Sequence, residues 1–363
     1  MGARAPRAAH SVYGPIDGAS FPAPLPPREA GACANGDRRY LWTDAFAVLA
    51  LATIADNLDG APPGSPLGEP ARFRCAAGAL VNAVHAGLGA PRSPAAADAM
   101  RADPRSPTGH VGLRIGKVSS APRTDVGMAL DGQYFHYLDK WLLALVRAGR
   151  ADDAAAIAKA AFPPFFDAGP HGDGRGGGVR WKLSADASAP LGLAHARATD
   201  DTLGARIVLG LVEHHRSRAA PSLRAELALL DAALRGYVPR ATDDPLGWGL
   251  QAFFDGFVRG QPRARALAAL APRALDARHF ALPFRLYGAL LGARVALMRP
   301  AGAPLARAAD VERLMDAGLE RERRAAAADG QEHTSINRVM LAACCIATPG
   351  AFAPRDGEPL VEF

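Results

Sequence analysis

Lysine is almost missing from this sequence. Of 42 Lys and Arg residues only four are lysine (Lys117, Lys140, Lys159 and Lys182), which leaves 38 arginines. Isoleucine, asparagine and glutamine are scarce too, while alanine supplies roughly a fifth of the chain, well above ordinary usage. The pattern is that of drift toward GC-rich codons, which exchanges permissive lysines for arginine and fills helices with alanine. A residue that such drift disfavours, and that is nevertheless present, becomes a place to look for a role.

Other absences narrow the function. The four cysteines (Cys33, Cys75, Cys344, Cys345) show no C-x-x-C spacing, and Cys344 and Cys345 fall in an apolar helical run as small core residues. No H-E-x-x-H is present, and the adjacent His214 and His215 point to different faces of a helix, so no metal is expected. Gly116-Lys117 lacks the upstream glycine of a phosphate-binding loop, and no G-x-S-x-G elbow occurs. The G-x-G-x-x-G of residues 172–177 follows a helix rather than a strand and reads as a flexible loop. No cofactor is expected.

No apolar run approaches the roughly 18–20 residues needed to cross a bilayer, so no membrane role is expected. The first 30 residues hold no continuous apolar stretch of a secretory leader, and Pro6 stands where a myristoylation signal carries Ser or Thr. The expected compartment is the cytoplasm. A net charge of +6 and a pI near 9.4 raise the question of nucleic acid. The arginines are scattered, however, and the one dense run, Arg321-Glu322-Arg323-Arg324, reads as a solvated helix end rather than a binding stripe.

What is present is helical. A length of 363 residues is ample for a large core. Residues 1–38 are a Pro- and Ala-rich segment without hydrophobic period, expected to be flexible or draped over the body; residues 39–363 are expected to form one domain. Ala and Leu recur there at helical spacing and strand signals are nearly absent. Aromatic- and polar-rich helices are predicted over 42–56, 131–148, 200–216, 246–259, 280–298 and 333–347. Plainer ones are predicted over 70–88, 151–167, 221–236, 262–271 and 307–325. Asp131, Thr199-Asp200-Asp201 and Asp244-Pro245 supply start signals. Six motif-rich helices alternating with five plain ones suggest hairpins whose inner helices converge on one pocket.

Four constellations carry candidate chemistry. Residues 40–46 bring Trp42 and Asp44 to the start of the first inner helix, either as core and helix-terminus charge or as a carboxylate at a cavity mouth. Residues 112–117 contribute Arg114 and Lys117, and 131–141 contribute Asp131, Gln133, His136, Tyr137 and Lys140. The last four share one helical face, a stripe expensive to bury without a purpose. Residues 180–186 offer Trp181 as a sugar platform with Lys182 and Asp186 as polar contacts, and Asp200 follows closely. His333 and Asn337 lie one turn apart, with capping by Thr334 or Ser335 as the plainer alternative.

The segments Tyr-Leu-Trp-Thr-Asp-Ala-Phe at 40–46, Val-Asn-Ala-Val-His at 81–85, Gly-Leu-Arg-Ile-Gly-Lys at 112–117, Asp-Gly-Gln-Tyr-Phe-His-Tyr-Leu at 131–138, Trp-Lys-Leu-Ser-Ala-Asp at 181–186 and Ile-Asn-Arg-Val-Met-Leu-Ala at 336–342 resemble a bacterial and fungal family without an assigned reaction. That family is similar to the six-hairpin glycosidase-like superfamily. The resemblance spans roughly residues 40–345, with 112–138 its most specific block, and implies an all-α (α/α)6 toroid; the count of six motif-rich and five plain helices leaves the sixth outer helix missing or replaced by a terminal segment. Relatives carry a His-Asp pair and a further Asp after the Trp-Lys segment, where this chain has Thr199-Asp200-Asp201.

Together these readings point to a carbohydrate-processing enzyme whose ligand is a small molecule or oligosaccharide. The first expectation is a glycoside hydrolase with paired carboxylates drawn from Asp44, Asp131, Asp186 and Asp200, assisted by His136. Trp42, Arg114, Lys117, Gln133, Tyr137, Lys140, Trp181, Lys182, His333 and Asn337 are the expected substrate contacts. Two alternatives stand beside it. One is a sugar isomerase or epimerase of the N-acylglucosamine 2-epimerase type using His136 and His333. The other is a non-catalytic ligand- or partner-binding toroid. Three of the four lysines and all four tryptophans (Trp42, Trp141, Trp181, Trp248) fall in or beside these segments.

Overall fold

The structure is a computed structural model and describes residues 11–33, 35–59, 69–92, 100–118, 130–191, 199–299, 304–325, 333–348, 350 and 352–362. The chain is mostly helical, 55% helix against 6% strand, and such strand as there is comes in two-residue ladders. The all-α expectation holds at this level.

The described helices are α1 (Leu41–Asp59), α2 (Pro70–Leu88), α3 (Phe135–Arg147), α4 (Ala151–Phe165), α5 (Thr199–His215), α6 (Arg224–Ala233), α7 (Pro245–Asp255), α8 (Ala264–Ala274), α9 (Pro283–Leu297), α10 (Ala308–Ala325) and α11 (Thr334–Ile346). They follow the expected segments closely because the Ala/Leu periodicity and the caps agree. Asp244 caps α7 through Gly247 N at 2.8 Å, with Pro245 at the first helical position. One expected helix starts late. Gln133–Tyr134 is extended (β1) and pairs antiparallel with Lys182–Leu183 (β4), so α3 begins only at Phe135. The Gly-rich loop of residues 172–177 joins a second ladder, Phe166–Asp167 (β2) against Gly178–Val179 (β3).

Helix α1 corrects the expectation about apolar runs. By length and composition it could cross a membrane, but 89% of its apolar window is buried, the position of a core helix.

The chain forms two compact units, and the division passes through α1 and α2. The first unit comprises Leu49–Arg74 and Val238–Glu362 with the segment ending at Ile16. Within it α7 packs on α9 and α9 on α11, while α8 and α10 flank them. The α7–α9 crossing is close enough to need glycine. A Cβ on Gly249 would lie 2.1 Å from Gly288 O, and one on Gly292 would lie 2.2 Å from Gly249 O.

The second unit comprises Asp17–Val48 and Cys75–Tyr237. Helices α3 and α5 pack on one another with α4 and α6 alongside. Trp141, Leu142 and Leu145 of α3 are fully buried in its core. Part of the segment expected as a flexible tail is anchored here. Leu25 is buried and exchanges hydrogen bonds with Arg38, and Arg39 Nη2 donates to Pro22 O at 2.6 Å.

Candidate active site

The site lies in the second unit and starts from a buried connector. Residues 112–117 run between neighbours on both sides: Arg114 N donates to Leu88 O, Ile115 N to Gly132 O, and Leu41 N to Ile115 O. Gly116 turns at φ +82, where a Cβ would meet Arg39 O at 2.0 Å, so only glycine fits. Beside it, Asp131 is saturated. Its Oδ2 accepts from Arg114 Nη1 at 2.8 Å and Arg92 Nε at 3.0 Å, and its Oδ1 from the backbone N–H groups of Gly116 (2.9 Å) and Lys117 (3.2 Å). Arg114, with no exposed surface, spends its remaining donors on Ala90 O, Gly87 O and Cys33 Sγ. Both residues hold the connector in place. Neither is available as an acid, base or substrate contact.

Several other candidates are likewise occupied locally. The Gln133 amide donates to Val111 O and Ala185 O, and as a β1 residue it does not share the α3 face of His136. Asp44 accepts from Tyr40 N at the start of α1, with Arg39 Nη1 4.0 Å away. Asp186 is bound by the hydroxyls of Ser184 and Ser188 and by Ser188 N, the hydrogen bonding of a tight turn. Asp200 is exposed and accepts from Tyr237 Oη at 3.0 Å. Lys182 is buried, donating to Leu130 O with its ammonium 4.9 Å from the Tyr134 ring centroid. His333 and Asn337 belong to the first unit. His333 is exposed, precedes α11 in the left-handed region (φ 64) and packs on Phe284, whereas Asn337 Oδ1 accepts from Phe284 N at the start of α9. The four carboxylates expected to act in pairs are therefore each engaged elsewhere.

The structure does assemble a different group around the start of α3. His136 and Tyr137 stand half-buried in its first turn with ring centroids 4.8 Å apart. Trp42 lies 6.3 Å from His136 and 5.0 Å from Tyr137, and Tyr134 lies 5.1 Å from His136. The β1–β4 register sets Tyr134 opposite Lys182, which brings half-buried Trp181 to 5.0 Å from Tyr134. Tyr40 Oη and Tyr137 Oη are hydrogen-bonded at 2.7 Å, and the Lys117 ammonium sits 5.1 Å from the Tyr40 ring centroid.

Three ionisable residues complete it. From α5, Asp201 places Oδ2 3.8 Å from His136 Nδ1, with the two side chains 12% and 25% exposed. One turn along α3, Lys140 Nζ pairs with buried Asp139 at 2.7 Å and reaches back toward His136 O at 3.4 Å. Burial raises the Asp139 carboxyl to about 6, against the pull of Lys140. Asp201 is held well above the usual carboxylate range, by burial first and then by the charge of Asp139. Burial, with Lys140 adding to it, pushes His136 down. Burial thus favours the uncharged form of both partners, the carboxylic acid of Asp201 and the neutral imidazole of His136. Asp201 Oδ2, Asp139 Oδ2 and Tyr134 Oη are buried and have no hydrogen-bond partner among the described residues.

Asp139 and Asp201 were not among the expected site residues. Asp139 had a signal: it stands i−3, i−4 and i−7 from Leu142, Leu143 and Val146, on an apolar stripe where a charge needs a reason. Asp201 had none that separates it from Asp200, because α5 is apolar on both faces that follow. Among the described residues no group of three or more His, Cys, Asp or Glu side chains is arranged to hold a metal ion. No family model, curated protein or solved structure matches this chain.

Proposed function

We propose that the protein is a carbohydrate-processing enzyme in which His136 and Asp201 act as one proton-transfer unit, with isomerisation of an open-chain sugar as the reaction. The observation that carries this is the buried, unpartnered Asp201 Oδ2 lying 3.8 Å from His136 Nδ1. Neutral His136 takes the proton from the carbon next to the carbonyl, and Asp201 gives its proton to the carbonyl oxygen, forming an enediol. Asp201 then takes the proton of the neighbouring hydroxyl, and protonated His136, 25% exposed and exchanging its proton with water, delivers a proton to the former carbonyl carbon. The charge separation between the steps is an ion pair of adjacent groups, while Asp139 stays matched by Lys140. Half-buried Tyr137 and Trp181 offer rings for the sugar carbons, and the buried rings of Trp42 and Tyr134 back them.

Glycoside hydrolysis is the second reading, favoured by the proton that Asp201 retains for a leaving oxygen. The short separation weighs against it, since acid and base flanking a glycosidic bond stand roughly 5–9.5 Å apart. Alternate helices packing on one another within each unit support hairpins, and closure of six of them into an (α/α)6 ring belongs to the same proposal.

Incubation with aldoses in deuterated water tests it. Deuterium should enter at the carbon beside the carbonyl, with ketose formed. Asp201→Asn should lower the rate about 100-fold or more with an unchanged melting temperature. Release of nitrophenol from nitrophenyl glycosides without deuterium exchange would favour hydrolysis. Sugar binding with neither reaction would reduce the site to a binding function.

A further inference from the structure

A further cation, Lys117, stands beside the His136–Asp201 cluster. Lys117 is half-buried, and among the described residues no carboxylate forms an ion pair with it. Its ammonium rests against the Tyr40 ring, 5.1 Å from the centroid. Tyr40 is buried and hydrogen-bonded to Tyr137, which is half-buried. Either hydroxyl can donate in that bond, so an arriving acceptor can draw the Tyr137 hydrogen while Tyr40 donates to Tyr137. Lys117 is also close enough for its charge to act on the Tyr137 phenol. Tyr137 is the chain neighbour of His136, with ring centroids 4.8 Å apart, so the donors lie within one sugar's reach of the proton-transfer pair.

The backbone fixes this lysine more firmly than a surface lysine would be. Its N–H donates to Asp131 Oδ1, and the preceding Gly116 is locked against Arg39 O. A lysine retained in a chain that has exchanged almost all others for arginine fits a site that needs a compact point charge, not a planar fork.

We infer that Lys117 and Tyr137 form a carboxylate subsite, so that the sugar taken by the His136–Asp201 pair is a uronic acid. Two donors, one ammonium and one phenol, match the two oxygens of a carboxylate, whereas a phosphate presents three and calls for more. The inference rests on the reading of the cluster as a sugar site.

Calorimetric titration at low salt with glucuronate, galacturonate, their neutral parents glucose and galactose, and glucose 6-phosphate tests it. The wild-type protein should bind at least one uronate about tenfold or more tightly than its neutral parent. Lys117→Met should abolish that preference while leaving binding of the neutral sugar and the melting temperature unchanged, and Tyr137→Phe should reduce the preference in part. Asp201→Asn should keep the preference while losing turnover, which separates the subsite from the proton-transfer reading. Equal binding of uronate and parent, a preference that survives Lys117→Met, tighter binding of glucose 6-phosphate, or no binding of any of the five would overturn the subsite.

Discussion

Replacing Asp131 by asparagine separates a structural from a catalytic carboxylate. The side chain keeps its shape, and its oxygen can still accept from Gly116 N and Lys117 N. The new NH2 group, however, would face two donors, Arg92 Nε and Arg114 Nη1, in place of the carboxylate they now bind at 3.0 and 2.8 Å. Arg114 has no exposed surface and retains only neutral partners. Removing one member of a buried ion pair costs about 3–5 kcal/mol, because the remaining charge is left without compensation. In a folding unit of this size, 1 kcal/mol moves the melting temperature by about 2–4 °C, so the loss should be on the order of 10 °C. Differential scanning calorimetry of the purified variant reads this directly. Turnover per folded molecule, with folded fraction taken from near-UV circular dichroism, should stay close to wild type. A variant that melts within about 2 °C of wild type and has lost its turnover would refute the reasoning and return Asp131 to the active site.

Two further outcomes follow from the packing. Gly249→Ala drives a Cβ into Gly288 O and should force α7 and α9 apart; about 1–3 kcal/mol of overpacking outweighs the helix propensity gained, read as a lower urea midpoint with unchanged slope. His85, buried beside Trp141, accepts from its indole N–H at 3.3 Å and is pushed down to about 4 by burial. The folded state therefore disfavours the proton that the unfolded chain accepts near 6.5. Stability is present in full above that pH and is lost as pH falls toward 4, by about 3 kcal/mol if His85 acted alone. Urea unfolding from pH 7 to 4.5 should show this slope, and His85→Gln should flatten it; an unaltered slope would show that other groups carry the acid sensitivity.

Most helices were legible because their cues are local. Asp244-Pro245 is followed by α7 at the expected residue, and the plain helix α10 buries a single stripe of Val311, Leu314, Met315 and Gly318. The ladder of β1 with β4 was not legible, since two residues are too few to show a strand period. The misread carboxylates share a cause. The donors to Asp131 come from 14 to 39 residues away, so its saturation depends on tertiary contacts that residue type and spacing do not encode. The cluster around the start of α3 was legible in outline because that segment carries its aromatic and polar residues consecutively. Which carboxylate faces His136 depends on the phase of α5, where two aspartates compete and one is solvated.

That phase decides the chemistry. A charged His136–Asp201 pair would add two buried charges beside Asp139, and Lys140 can neutralise only one carboxylate. Keeping the proton on Asp201 avoids both charges and leaves imidazole and carboxylic acid side by side. In the proposed reaction the pair serves as base and acid together, moving a proton off one substrate atom and onto its neighbour. At 3.8 Å the two groups are also too far apart to satisfy each other directly, so their hydrogen-bonding capacity stays directed at whatever enters between them. Lys140→Met removes the counter-charge of Asp139. It also removes the charge that helps burial to push His136 down, so the acid limb of the pH–rate profile, where the base His136 takes up a proton, should shift upward instead of the activity falling uniformly.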